Sequence, residues 1–390
     1  MNLQHLRKAA RFDRNELSGA FGDIGTDFPL IVGMILAADL HPASVLILFG
    51  AMQLFSGFTY GLPMPVQPLK AMAVIVITQK LSGEVLYGGG LAIGIAMLVL
   101  VSTRLIDWLA RVVPKSVIRG IQLGLGMQLG LLALRDYVTA DGAPGWALAG
   151  AGFVLTILLL GNRRFPPAPF VILLGLGYAL IFKLNPSDLI RGVGLTLPSW
   201  HVPSTDALLT GFLVLALPQI PLSLGNSILA TRQIAADYFP DRPLAVRKIG
   251  FTYSVMNLVN PFLGGIPTCH GSGGMAGHYA FGARTGGSVV IYGLLYLSLG
   301  LFLSGSFQTA ILLFPRPVLG VILLFEAVAL MRLMADMAGS RKDFTVVILV
   351  GLMALGLPYG YVIGLVTGTL LAKGLNLRVN SGASRQAAGR

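Results

Sequence analysis

Read from its first residue, the chain alternates long apolar runs with short segments where charge, Gly and Pro collect. The runs are roughly 15–25 residues long, the length a helix needs to cross a hydrocarbon core. They predict helical spans near residues 17–38, 43–61, 65–80, 84–103, 116–134, 145–161, 168–183, 206–230, 246–264, 267–282, 286–304, 308–331, 344–357 and 359–376. The expected fold is therefore an all-α polytopic membrane protein of about fourteen spans, with no room left for a large soluble domain.

Four spans break this pattern. The first carries Gly22-Asp23-Ile24-Gly25-Thr26-Asp27-Phe28-Pro29, and the eighth carries Pro218-Gln219-Ile220-Pro221-Leu222-Ser223-Leu224-Gly225-Asn226. The third opens on Gly61-Leu62-Pro63-Met64-Pro65-Val66-Gln67-Pro68-Leu69-Lys70, and the tenth on Gly264-Gly265-Ile266-Pro267-Thr268-Cys269-His270-Gly271-Ser272-Gly273-Gly274. Closely spaced prolines enforce an extended stretch, and Pro68 suits the first turn of a helix running toward residue 80. A second helix can begin after Ser272. Backbone groups freed in hydrocarbon cost several kcal/mol unless they are satisfied, so these breaks must lie in protein or line a cavity. Two half-helices starting near the midplane would aim positive N-terminal ends at one point, which suits an anion.

The breaks also point to duplication. Val113-Pro114-Lys115-Ser116-Val117-Ile118 resembles Phe314-Pro315-Arg316-Pro317-Val318-Leu319 at an offset of 201, and Pro65 matches Pro267 at 202. Matching Pro29 to Pro221 gives 192, which requires an insertion such as Arg232–Lys248. A repeat of about seven spans, an odd number, is inverted in the membrane. The expected halves are residues 1–185 and 186–390.

Composition agrees with a bilayer setting. Charged residues make up 11% of 390, and mean hydropathy is +0.78, which excludes a soluble globule, a disordered protein and a nucleic-acid binder. The net charge of +12 encodes orientation: with the first residue inside, 22 of the 28 Lys and Arg fall on the cytoplasmic side, Arg7, Lys8, Arg163, Arg164 and Arg390 among them. Five fall outside: Lys80, Arg135, Lys183, Arg191 and Arg316. The expected location is the cell (inner) membrane with both ends cytoplasmic. One cysteine, Cys269, rules out an intrachain disulfide and a Cys-based metal cluster. No HExxH or nucleotide motif occurs, and Cys269 and His270 are sequence neighbours whose side chains seldom face one another. An intramembrane enzyme, a metal, a cofactor and ATP-driven transport are not expected.

Lys70 is the main candidate. It sits in the first turn of a half-helix, where the dipole repels a cation, and at membrane depth it costs at least ~2.5 kcal/mol without a partner. Contact with a bound dianion relieves both terms; a permanent pair with Asp23 or Asp27 is the alternative. His270 could donate to the same anion or bond a carbonyl, and Cys269 is a small packing residue at the same place. Asp23, Thr26, Gln219 and Asn226 either face a polar cavity or satisfy groups freed by the prolines. Asp27 and Glu326 are the other deep carboxylates; Glu326 is a proton carrier or a static ion-pair partner.

The segments Glu16-Leu17-Ser18-Gly19 through GDIGT, the run MPVQPLK, PQIPLSLGNS and PTCHGSGGMAGHYAFGARTG resemble the signature segments of the molybdate transporter family, relatives of the sulfate permease superfamily. The likeness is strongest over residues 16–76 and 214–290. It implies a seven-plus-seven inverted-repeat fold, with a core domain of spans one to four and eight to eleven and a gate domain of the rest. It further implies uptake of a tetrahedral oxyanion. The candidate substrate-binding residues, read from the broken spans, are Gln67, Lys70, Cys269, His270, Gly271, Ser272, Gly273, Thr26, Gln219 and Asn226. Molybdate leads, with sulfate and tungstate as rivals, and a passive anion channel is the alternative on the same fold. Moving a dianion into a cell negative inside costs about 2 × 2.3 kcal/mol at 100 mV, so a coupling cation is expected. A proton carried by Asp23, Asp27 or Glu326 leads; a homodimer is compatible with the sequence.

Overall fold

The computed structural model describes residues 10–162, 167–183 and 186–387. Arg7, Lys8, Arg163, Arg164 and Arg390 of the charge bias lie outside the described residues, as does residue 185, where the two halves were expected to meet. Helices α1 (Arg14–Ala20), α2 (Ile24–Ala38) and α3 (Pro42–Tyr60) lead to strand β1 (Val66–Pro68) and α4 (Lys70–Gln79). Next come α5 (Gly83–Ser102), α6 (Lys115–Tyr137), α7 (Gly142–Leu159) and α8 (Pro167–Phe182). The second half comprises α9 (Thr205–Tyr238), α10 (Val246–Val259), strand β2 (Thr268–His270), α11 (Ser272–Ala280), α12 (Gly287–Phe302), α13 (Ser304–Leu313), α14 (Arg316–Met337), α15 (Arg341–Gly356) and α16 (Gly360–Ala387). Short helices Leu105–Val112 and Pro186–Arg191 lie in the connections.

Among the described residues six helices are long and apolar enough to cross a membrane, or up to eight if each bent pair is one span. Helices also occupy the other expected spans, with three differences. The first span is bent by 41° between α1 and α2, where Gly22 lies so close to Gly277 that any side chain would overlap it. The expected span 308–331 is two helices, because Pro315 and Pro317 end α13 and start α14. The bend between α12 and α13 is 94°. Helix α9 is not broken at Pro218 and Pro221; π-helical stretches Phe212–Ala216 and Ser223–Ala230 flank them and let the helix continue.

The proline-rich breaks form a two-stranded antiparallel sheet that pairs Val66 with His270, Gln67 with Cys269 and Pro68 with Thr268. Each strand leads into a half-helix, and the two units are offset by 202 residues, Val66 to Thr268 and Lys70 to Ser272. Each is preceded by a glycine with positive φ, Gly61 (63°) and Gly264 (70°), where a side chain would be strained. Each is also clamped by an amide on the preceding helix. Gln53 accepts from Val66 N–H (2.8 Å) and donates to Val66 C=O (2.6 Å). Asn257 does the same for Thr268, at 2.9 and 2.6 Å. One turn on, Ser56 donates to Met64 C=O and Asn260 to Ile266 C=O. These bonds satisfy the extended backbone inside an apolar body, where an unpaired group would cost several kcal/mol.

Two sets of helices account for the most extensive packing. In one, α3 packs on α12, and α5 packs on α9 and α10; in the other, α6 packs on α14 and α15, and α15 on α16. Smaller contacts of α4 with α6 and of α2 with α14 join them. Helix α4 is apolar on all sides, with Ala71 to Ile77 buried, as suits a helix in the interior. Glu16 ties α1 to α12, its carboxylate accepting from the N–H groups of Arg284, Thr285 and Ser288, each at 2.9 Å.

Candidate functional site

A cavity of about 220 Å³ lies at the start of both half-helices. Its polar lining is Gln67, Lys70, Gln122, Gln219, Asn226, Ser227, Ser272 and Gly273; Cys269, Leu222, Ala329, Leu330 and Leu333 complete it. Seven residues expected at the site therefore converge: Gln67, Lys70, Gln219, Asn226, Cys269, Ser272 and Gly273.

The two half-helices contribute differently. Two first-turn N–H groups of α4 are taken: Gln219 Oε1 accepts from Ala71 (2.9 Å) and Met72 (3.4 Å). What α4 presents is the Lys70 ammonium. Helix α11 begins after Gly271 with no capping side chain, and a Cβ at Gly273 would meet nothing within 4 Å. Its first turn can therefore approach a ligand with backbone N–H groups. Gly271 has the opposite character, since a side chain there would overlap Gln67. Ser272 Oγ donates to Asn226 Oδ1 at 3.0 Å, which fixes the edge of the cavity.

Lys70 pairs with neither Asp23 nor Asp27. Its Nζ donates to Glu326 Oε1 on α14 at 2.9 Å, the lysine side chain being 23% exposed and the glutamate 7%. Asp23 is buried behind the lining, where its carboxylate accepts two bonds from Gln67 Nε2 at 2.8 and 2.7 Å. It orients the glutamine instead of meeting the cavity. Asp27 is buried and accepts from Tyr292 at 3.2 Å; its Oδ1 has no hydrogen-bond partner among the described residues. Thr26 is half-buried in α2, outside the lining. His270 is fully buried, its Nε2 bonded to Thr252 Oγ1 at 2.8 Å and its ring edge-to-face with Tyr60. Alternation along β2 explains this: Cys269 points toward the cavity, and its neighbour points away.

Sequence reasoning passed over Gln122 and Ser227. Gln122 could have been found as an amide inside an apolar span, the signal that identified Gln219; its Oε1 accepts from Arg119 at 2.9 Å. Arg119 in turn meets Asp336, which also pairs with Lys115 at 2.8 Å. Among the described residues no cluster of three or more His, Cys, Asp or Glu is placed to hold a metal. The arrangement of one ammonium, several amides and hydroxyls, and an uncapped helix start suits a compact oxyanion.

Comparison with known proteins bears on the same elements. Residues 15–129 and 211–330 match the family described as molybdate transporter of the MFS superfamily. All the cavity-lining residues except Leu333 fall inside those segments. The chain is 31% identical over 380 residues to molybdate transporter 2 of Arabidopsis thaliana, covering 86% of this chain and 82% of that protein. It is also 31% identical over 408 residues to molybdate transporter 1 of the same plant, covering 91% and 87%. Among solved structures it resembles the transmembrane domain of a cyanobacterial bicarbonate transporter, BicA, with a TM-score of 0.64, 16% identity and coverage of 93% and 98%. It also resembles murine Slc26a9, an anion transporter in the inward-facing state, with a TM-score of 0.68, 14% identity and coverage of 96% and 70%.

Proposed function

Because the chain belongs to the molybdate transporter family, we propose that it is a secondary active transporter importing a tetrahedral oxyanion, molybdate foremost, together with protons. The observation that carries this reading is the convergence of the Lys70 ammonium and the uncapped start of α11 on one small cavity. A dianion there gains a full opposite charge and backbone donors, and Gln67, Gln219, Asn226 and Ser272 complete its polar surroundings. Among the described residues no aromatic side chain lines the cavity, so a planar organic ligand would find no stacking partner there.

The two packed sets correspond in this reading to a core, α1 to α5 with α9 to α12, and a gate, α6 to α8 with α14 to α16. Their pairing by strand and half-helix at an offset of 202 supports an inverted repeat. Basic residues bias both ends of the chain toward the cytoplasm. Import against a negative interior needs compensating positive charge: two protons make a dianion's passage electroneutral, and a third lets the potential assist. Glu326, on the ion pair at the cavity, is the leading carrier, with Asp23 and Asp27 behind it.

The test is uptake of labelled molybdate into proteoliposomes, challenged with sulfate, tungstate, phosphate and uracil under an imposed pH gradient with the potential clamped. Accumulation above the external concentration, inhibited by tungstate or sulfate and driven by the proton gradient, is the expected result. Equilibration without accumulation would mean a channel, and dependence on sodium alone would remove the proton.

A further inference from the structure

The Lys70–Glu326 pair joins a helix of one packed set to a helix of the other. Lys70 opens α4 on the cavity, and Glu326 lies midway along α14. The glutamate is not part of that lining; it lines a neighbouring cavity with Gly22, Gly25, Thr156 and Phe325 and reaches Lys70 from there. Its carboxylate takes one of the three N–H donors of the ammonium and neutralises the charge that an oxyanion would otherwise meet. Resting on the oxyanion-transporter reading above, we propose that Glu326 is a tethered counter-ion that the substrate must displace. The empty protein thus holds its site neutral and its two sets of helices joined, and the arriving anion opens both.

The charge balance follows from the surroundings of the displaced carboxylate. Helix α2 and its N-cap bring Asp23 and Asp27 within electrostatic reach of the pair. Helices α7 and α8, also packed on α14, carry no charged residue in their spans. On α6, Lys115 and Arg119 are engaged by Asp336, and Arg135 and Asp136 lie in its last turn, as Arg332 does near the end of α14 itself. Among the described residues Lys70 is thus the cation that pairs with Glu326. Once an anion takes Lys70, Glu326 is a nearly buried carboxylate beside two others, an expensive arrangement in a membrane interior. It takes a proton from the aqueous phase, becoming a carboxylic acid as the anion binds. Proton entry is in this way tied to substrate binding, and a half-loaded protein retains an uncompensated charge that opposes movement.

Isothermal titration calorimetry of the purified full-length protein with sodium molybdate, in two buffers of different ionisation enthalpy, reads affinity and proton uptake together. Wild type should take up about one proton per molybdate bound. Glu326→Gln should bind about tenfold or more tightly with no proton uptake. Glu326→Asp, whose shorter side chain retreats from Lys70, should bind with intermediate affinity and keep the uptake. Asp136→Asn removes an exposed carboxylate from the last turn of α6 without touching the Lys70 pair, and should leave affinity within about threefold of wild type. Equal tightening by Asp136→Asn and Glu326→Gln would reduce the effect to general electrostatics and overturn the displacement. Unchanged or weaker binding by both Glu326 variants, with Lys70→Ala dead, would also overturn it while leaving the site in place. Wild-type binding by Lys70→Ala would instead refute the site.

Discussion

At the scale of single residues, the two glycines at the start of α11 have different duties. A valine at Gly273 would project into open space at the cavity and block the anion, whereas a valine at Gly271 would collide with Gln67 and disrupt the strand pair. We expect Gly273→Val to fold with a wild-type melting temperature and to lose molybdate uptake. Gly271→Val should instead lose stability, by the ~1–3 kcal/mol typical of overpacking or more, and this is checked by thermal unfolding in detergent beside uptake. This difference was not visible in the sequence, where both glycines read as permitting close approach. Lys70, Gln67 and Asn226 were legible because a charge or amide in an apolar span demands a reason. The partner of Lys70 was not, since Glu326 lies 256 positions away and nothing local to Asp23, Asp27 or Glu326 distinguishes them. His270 illustrates a further limit: its neighbours suggest a ligand, but strand alternation turns it onto Thr252.

At the scale of elements, the prolines foretold extended stretches and half-helices, and these occur within a residue or two of the places expected. What the sequence did not show was how those stretches are satisfied. Gln53 and Asn257 look like isolated amides in apolar helices, and their role emerges only when the clamped backbone lies beside them. Helix α4 depends on a cap from a distant element, Gln219. Gln219→Leu should remove that cap, costing about 1–2 kcal/mol as helix-capping losses do, and should let the first turn and its lysine shift. Gln219→Glu retains an acceptor for the Ala71 and Met72 N–H groups. Melting temperature should therefore fall more for leucine than for glutamate, while uptake falls in both because each changes the cavity's polarity. Equal melting temperatures for leucine and wild type would show that the cap contributes nothing.

At the scale of the whole molecule, the proposed transport cycle requires the set containing α4 to move against the set containing α6. The two meet where Thr78 Oγ1 approaches Gln128 Oε1, at 3.3 Å. Cysteines at 78 and 128 joined by oxidation should stop uptake, and reduction should restore it. The native Cys269 is buried and contributes little background. Continued uptake through the cross-link would show that these sets do not move relative to each other at that contact. The most direct test of the account is the accumulation of labelled molybdate in proteoliposomes under an inward proton gradient, wild type beside Lys70→Ala of verified fold. The account predicts accumulation above the external concentration for wild type and none for the variant. Equal accumulation by both would contradict it.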